Sequence, residues 1–334
     1  MNCTNMFRRA ALLAALAVTA GIGVNAVGAS LDPINGVDLG GTSFFDGFGA
    51  TAPGLTYLGY ARYSTYNAIN DNTGHESPAF RSPKIDILAL INSVAYTTHQ
   101  TYFGGSAHLG LFALVPYLVF NTSFAANSPL TLADNGNGIG DLTFGTYLQF
   151  NPVISHGRPV YSQRVEFDVI APVGKYDASK AINPSFGFWS LNPYWAATWL
   201  PTPRTEVSWR LSYLYNFANR KPDGLPPSVT STKAGQAVYA NFTASYGITP
   251  TVHAGINGYY FRQITGDTYN YGNGTSDSGA AFGDVGKASI FAIGPGLNWR
   301  QDRNNIWDLN LYVQTQARNT TQGNQLNLHW IHSF

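Results

Sequence analysis

Residues 306–334 constrain the fold most, because their side chains alternate in character. Trp307, Leu309, Leu311, Val313, Thr315 and Ala317 are apolar or small, while the interleaved Asp308, Asn310, Tyr312, Gln314, Gln316 and Arg318 are nearly all polar. A repeat of two is that of a β-strand, whose successive side chains point to opposite faces. After a turn at 319–323, Leu326, Leu328, Trp330 and Phe334 share one parity, interrupted by His332, and Gln325, Asn327 and His329 share the other. The two segments read as an antiparallel pair with one greasy and one wet face.

A soluble sandwich also alternates, but it has no use for a final Phe on the greasy parity. An all-β, antiparallel up-and-down transmembrane barrel does: the apolar parity faces lipid, the polar parity faces a lumen. An aromatic such as Phe334 would then be the signal read by the barrel assembly machinery. Composition agrees. Charged residues make up 11% of the chain, against roughly 25% in soluble domains. Beyond residue 29 no run approaches the ~18 apolar residues of a membrane helix. A net charge of +1 gives no argument for nucleic acid.

Arg8 and Arg9, the apolar run 10–24 and the small residues Val27-Gly28-Ala29 read as a secretory signal peptide, 1–29, cleaved after Ala29. The one cysteine, Cys3, leaves with it, so no thiol, disulfide or cysteine metal site is expected in the mature protein. Residues 30–53, rich in Gly, Asp and Phe, are expected to be either a periplasmic strap or a plug segment tucked into the barrel formed by 54–334.

Twelve strand candidates follow, at 54–69, 83–97, 104–120, 139–151, 160–172, 188–200, 204–217, 235–247, 251–264, 288–299, 306–318 and 324–334. The connections at 70–82, 121–138, 173–187, 218–234 and 265–287 are long and polar. Those at 200–203, 247–250 and 300–305 are tight. Long outside and short inside is the outer-membrane pattern. Lys84, Lys175, Lys180, Lys221, Lys233 and Lys287 fall in or beside the long connections, where lipopolysaccharide phosphates would meet them. Trp199, Tyr246, Trp299, Trp307 and Phe334 mark one membrane interface, and Trp189, Phe217 and Tyr260 the other.

Extending the parity turns Arg62, Asp86, Asp141, Arg164, Glu166, Asp168, Glu206, Arg210, His253, Asn257, Asp308, Gln314 and Arg318 towards the lumen. Both signs point inward, so no single-sign ring of an ion-selective pore is built. Arg164, Glu166, Asp168 and Arg210 are expected to bridge one another and narrow the bore. Strands two and three differ, being apolar on nearly both parities, with Phe112, Leu114, Leu118 and Phe120 on the inward side. Either residues 30–53 cover that sector or it is a track for an apolar solute.

Catalytic and metal signatures are weak. There is no Gly-x-Ser-x-Gly and no His-Glu-x-x-His. His329 and Ser245 do not fall on neighbouring strands, and the glycine-rich run 134–141 lacks the spacing of a calcium loop. Neither an enzyme, a metal nor a cofactor is expected.

Several segments, in order, resemble the phenol meta-pathway degradation-like family of SphA-type outer-membrane transporters. They are Gly138-Ile139-Gly140-Asp141-Leu142, Ala171-Pro172-Val173-Gly174-Lys175-Tyr176-Asp177, Tyr215-Asn216-Phe217 with Asn219, the run 258–267, Ile293-Gly294-Pro295-Gly296-Leu297, and Ala317-Arg318-Asn319. The resemblance covers about 50–334 and implies an outer-membrane barrel linked to uptake of hydrophobic or aromatic compounds. It supplies no catalytic residues. The expectation is a passive channel for such small molecules. A general polar-solute porin, an outer-membrane enzyme and a structural barrel are the alternatives.

Overall fold

The computed structural model describes residues 37–279 and 286–334. The expected signal peptide with its cleavage site after Ala29, Cys3 and residues 30–36 lie outside the described residues. Twelve strands build the barrel: β1 (Gly54–Ile69), β2 (Lys84–Tyr102), β3 (Ala107–Ser123), β4 (Leu142–Phe150), β5 (Arg158–Ala171), β6 (Ser190–Trp199), β7 (Thr205–Asn216), β8 (Ala237–Gly247), β9 (Val252–Gln263), β10 (Ser289–Arg300), β11 (Asn305–Arg318) and β12 (Thr321–Ser333). Each pairs antiparallel with its neighbours, and β1 pairs with β12 from Thr56↔Ser333 to Ile69↔Thr321, so the sheet closes. Closure satisfies the strand backbones within the wall, the condition for standing in a bilayer.

The strand count and alternation match the sequence reading, and the strand ends shift by a few residues. The third strand is Ala107–Ser123 rather than 104–120, because Gly104 and Gly105, both at positive φ, make the reversal just before it. The last turn shrinks to Asn319 and Thr320: Asn319 takes φ 49°, and β12 starts at Thr321. Tight turns gather at the end where β1 begins. Long connections gather at the other, where Val229–Lys233, Thr268–Tyr271 and Ser276–Asp277 form a separate three-stranded sheet.

Leu90, Val94, Leu111, Phe167, Leu211, Ile256, Leu311 and Leu328 are all exposed on the outer face. A band of that size would aggregate in water and is the surface a barrel offers to lipid. Trp199, Tyr246 and Trp299 stand exposed at the tight-turn end, and Trp189, Phe217 and Tyr260 towards the long-loop end. They fit two interfacial girdles.

Two inward assignments are corrected. In β11, Ala292 of β10 pairs with Gln314 and Phe291 with Gln316, leaving Thr315 as an extra residue. This bulge exchanges the faces beyond it: Ala317 is buried inside and Arg318 is exposed outside. In β2, Ile87, Ala89, Ile91, Ser93 and Ala95 turn inward, which puts Asp86 on the outer parity. Both parities of β2 are apolar, so the charge suggested a facing that the ladder does not have. Asp86 lies at the long-loop rim, level with Thr65 and Asn121, 3.5 Å from Lys84 Nζ and accepting from Asn121 Nδ2 at 3.4 Å.

Candidate functional site

Residues 37–53 run inside the barrel as an irregular segment, and its backbone polar groups are bonded by inward-facing side chains of the wall. Gly40 N donates to Asn241 Oδ1 (3.0 Å), and Asn241 Nδ2 donates to Asp38 O (2.7 Å). Gln325 and Asn327 donate to Leu39 O and Gly40 O. Phe45 N donates to Glu206 Oε1 (2.6 Å), Gly47 N to Thr198 Oγ1 (2.9 Å), and Ser162 Oγ and Gln149 Nε2 both reach Gly47 O. Asn310 donates to Ser43 Oγ (2.9 Å). These partners come from β4 to β8, β11 and β12, the polar part of the wall.

Arg210 is the electrostatic anchor. Its Nη1 lies 2.8 Å from Asp38 Oδ2, its Nη2 2.6 Å from Asp46 Oδ1, and its guanidinium stacks over Tyr194 at 4.1 Å. Arg62 adds a looser contact to Asp38 at 3.9 Å. Burial pushes the Asp46 carboxyl above its ordinary range, and Arg210 pulls it back. Instead of bridging to strand neighbours, Arg210 is thus spent on the inner segment. Arg164 and Glu166 do pair with each other, with Arg164 Nε donating to Glu166 Oε2 at 2.6 Å, and Arg164 covers the Tyr147 ring at 3.7 Å.

The close approach at Gly47 requires glycine. A Cβ there would lie 2.4 Å from both Ser162 O and Thr198 N. Gly47→Val is therefore expected to expel this part of the segment while leaving the strands paired, read as new protease cleavage within 37–53 of a still heat-modifiable barrel. Unchanged protection would show that the contact is dispensable.

Against β1, β2 and β3 the segment makes few polar contacts, Thr97 Oγ1 to Ala50 O at 3.4 Å among them. Here a cavity of about 200 Å³ lies between the segment and the wall. Its wall side carries Leu58, Ile87, Ala89, Ile91, Ala95, Phe112, Leu114, Pro116 and Leu118, and its inner side Val37, Phe44 and Phe48. Leu58 and Tyr66 bound it along β1, eight residues or about 26 Å at the rise of a strand. At a strand tilt of about 40° that length covers about 20 Å of the membrane normal, against an apolar band about 25 Å tall. Beyond Tyr66 and Ile87 an apolar cluster of Ile69, Phe80, Ile85 and Leu132, with Phe124, Leu130 and Ile182 against it, packs at the long-loop end.

Arg62, Arg164, Glu166, Asp168, Arg210, Asp308 and Gln314 border this cavity. Asn257 is fully buried, donating to Asn310 and accepting from Thr243. Asp141 accepts from Gly174 N and Phe186 N, bracing two long connections. Its carboxyl is pushed up by burial, against bonds from Ser185, Phe186 and Gly174. Phe334 is 74% exposed, donates its N–H to Leu55 O and packs edge-on against His332 at 4.6 Å. Sequence reasoning missed Asp38 and Asp46, whose roles depend on partners more than 160 residues away.

It also missed a hydrogen-bonded trio. Ser245 Oγ donates to Glu206 Oε2 and lies 3.2 Å from His253 Nδ1, and the His253 ring packs edge-on against Phe45 at 4.9 Å. Strands β8 and β9 are adjacent, so the pairing was available from their alternation. The carboxylate bonds the serine rather than the imidazole. Hydrolytic triads need the reverse order, in which the acid orients the base. Among the described residues no group of His, Cys, Asp and Glu could hold a metal ion.

A model of the family described as "Putative MetA-pathway of phenol degradation" matches residues 66–330. No curated protein matches the chain. Of solved structures, the COG4313 outer membrane channel from Pseudomonas putida F1 aligns with a TM-score of 0.68 at 16% identity, over 89% of this chain and 100% of that one. The transport unit of the autotransporter AIDA-I from Escherichia coli aligns at 0.46 (9% identity, 84% and 90% covered). The deltaS2 mutant of the TodX monoaromatic hydrocarbon channel aligns at 0.42 (9%, 84% and 90%). The first likeness is one of fold, and the other two are too distant to add to it. Closed fold and lipid-facing band together make the chain a barrel of the bacterial outer membrane.

Proposed function

We propose, for a chain that belongs to the family of the MetA-pathway of phenol degradation, that it is an outer-membrane channel for passive entry of small apolar or aromatic compounds. One observation carries this reading: the inner segment is tied to the polar wall, and a cavity lies between it and the apolar wall. A ring burying roughly 100 Å² against that wall gains about 2–3 kcal/mol. That is enough to enter and too little to stay, as conduction requires. Entry then follows the concentration gradient with no chemical step, and the Glu206, Ser245 and His253 trio acts as wall. The charges bordering the cavity are of both signs and largely paired, which disfavours a general porin for ions and sugars. Phe334 would be offered to the assembly machinery and the rim lysines to lipopolysaccharide.

Ala89 and Ala95 line the cavity, so tryptophan at either projects an indole into it. In proteoliposomes, Ala89→Trp and Ala95→Trp are expected to lower toluene entry at least tenfold with unchanged folded yield. Entry at the unsubstituted rate would refute passage along this wall.

A further inference from the structure

A second hollow lies on the lipid side of the wall. Over β6 to β9 a groove of about 620 Å³ is lined by Trp195, Leu211, Tyr213, Val238, Ala240 and Tyr260. The ladder accounts for it. Ala240, a short side chain, pairs with Leu211 on one side and with Tyr260 on the other. Next to them the pairing of β6 with β7 skips Asn192 and Pro193, and proline has no N–H to give a ladder. The surrounding rings are held in place. Trp195 Nε1 donates to Gln163 Oε1 at 3.1 Å and its ring meets Trp209 edge-on at 5.7 Å, while the Tyr213 hydroxyl donates to Gln236 Oε1 at 2.6 Å. Ala240 and Tyr260 each lie three residues from the long-loop end of their strand, about 10 Å along it. The groove therefore stands in the outer half of the apolar band.

Cations border it on the loop side. Arg262, the next outward position after Tyr260, is exposed. Lys233 Nζ lies 4.4 Å over the Tyr215 ring and donates to the Tyr215 hydroxyl at 3.0 Å. Tyr215 and Arg262 are two strand spacings apart, roughly 10 Å. Among the described residues neither cation makes an ion pair, and nearby Asp267 is buried, accepting from Gly235 N and Gln263 Nε2.

We propose that this face seats one molecule of lipid A, the acylated and phosphorylated anchor of lipopolysaccharide. One acyl chain would lie in the groove against Ala240 and Trp195, with the phosphates accepting from Arg262 and Lys233. A guanidinium matches phosphate through two parallel N–H bonds, and Lys233, with one N–H on Tyr215, keeps two to give. Two separated cations fit a head group with two phosphates better than a phospholipid with one. This deepens the rim contact with lipopolysaccharide proposed above and does not depend on what crosses the lumen.

Native mass spectrometry of the full barrel in detergent micelles counts the lipid retained. The probes are lipid A, deacylated lipid A and phosphatidylglycerol. The unsubstituted barrel is expected to hold one lipid A, about tenfold more tightly than either other probe, the span of one charge-assisted contact. Arg262→Gln removes the cation and Ala240→Trp fills the groove, and each should weaken lipid A about tenfold with the heat-modifiable fraction unchanged. Lys84→Gln removes a rim cation on β2, five strands from β7, and should change nothing. Equal loss in Lys84→Gln and Arg262→Gln overturns the seat and leaves a diffuse rim contact standing. Phosphatidylglycerol held as tightly as lipid A overturns the assignment to lipid A. No lipid A retained by the unsubstituted barrel overturns both the seat and the rim contact.

Discussion

Replacing Arg210 with alanine is expected to lower the barrel's stability by about 3–5 kcal/mol, the cost of leaving buried charges without their partner. Asp38 and Asp46 both lose a contact under 3 Å, and among the described residues the inner segment has no second cation as close. The segment should leave the polar wall, so that a small, apolar-lined bore becomes a wide and wet one. In planar bilayers the single-channel conductance is expected to rise several-fold, and residues 37–53 should become open to protease. Adding Asp38→Asn and Asp46→Asn should return part of the stability, since it removes the stranded charges, while leaving the bore open. A conductance equal to that of the unsubstituted channel would show that Arg210 is not what holds the segment.

The second large effect separates adjacent residues. Leu90 is 42% exposed on the lipid side near mid-height, opposite Ala61, while Ile91 borders the cavity. Leu90→Arg places a cation at the bilayer midplane, at about 2–4 kcal/mol. Ile91→Arg places the same cation where Asp38, Asp308 and Glu166 also face. It should fold at near-normal yield and instead suppress passage of apolar solutes. Comparison of heat-modifiable folded fractions decides the facing. Equal loss in both variants would mean that β2 is wrongly oriented.

Alternation made the fold legible wherever one face is lipid and the other is polar, as in β11, where Leu309 and Leu311 stand out and Asp308 and Asn310 turn in. It failed where that contrast vanishes. Asp86 lies on a strand apolar on both faces, and Arg318 lies beyond a single extra residue whose presence only the partner strand reveals. The candidate site was less legible still. The sequence reading left the bare sector of β2 and β3 as either covered or open. Val37, Phe44 and Phe48 of the inner segment face it across a cavity, which remains because the segment's backbone goes where wall side chains can satisfy it, and Leu114 or Ile91 offers no bond to an unpaired carbonyl. Such a choice is made among groups far apart in the chain, and no local pattern announces it.

The inner segment also sets an order of events. Its bonds reach from Leu39 and Gly40 to Gln325 and Asn327, nearly the whole length of the chain, and from Asp38 and Asp46 to a strand in the middle. Contacts of such sequence separation form late, and here they need both the central strands and the closing one in place. The first of the described residues to be synthesised are thus the last to find their positions, and during the interval a closed but unfilled cylinder stands in the membrane. A leak that appears with insertion and fades as the segment docks would be the kinetic trace of that interval.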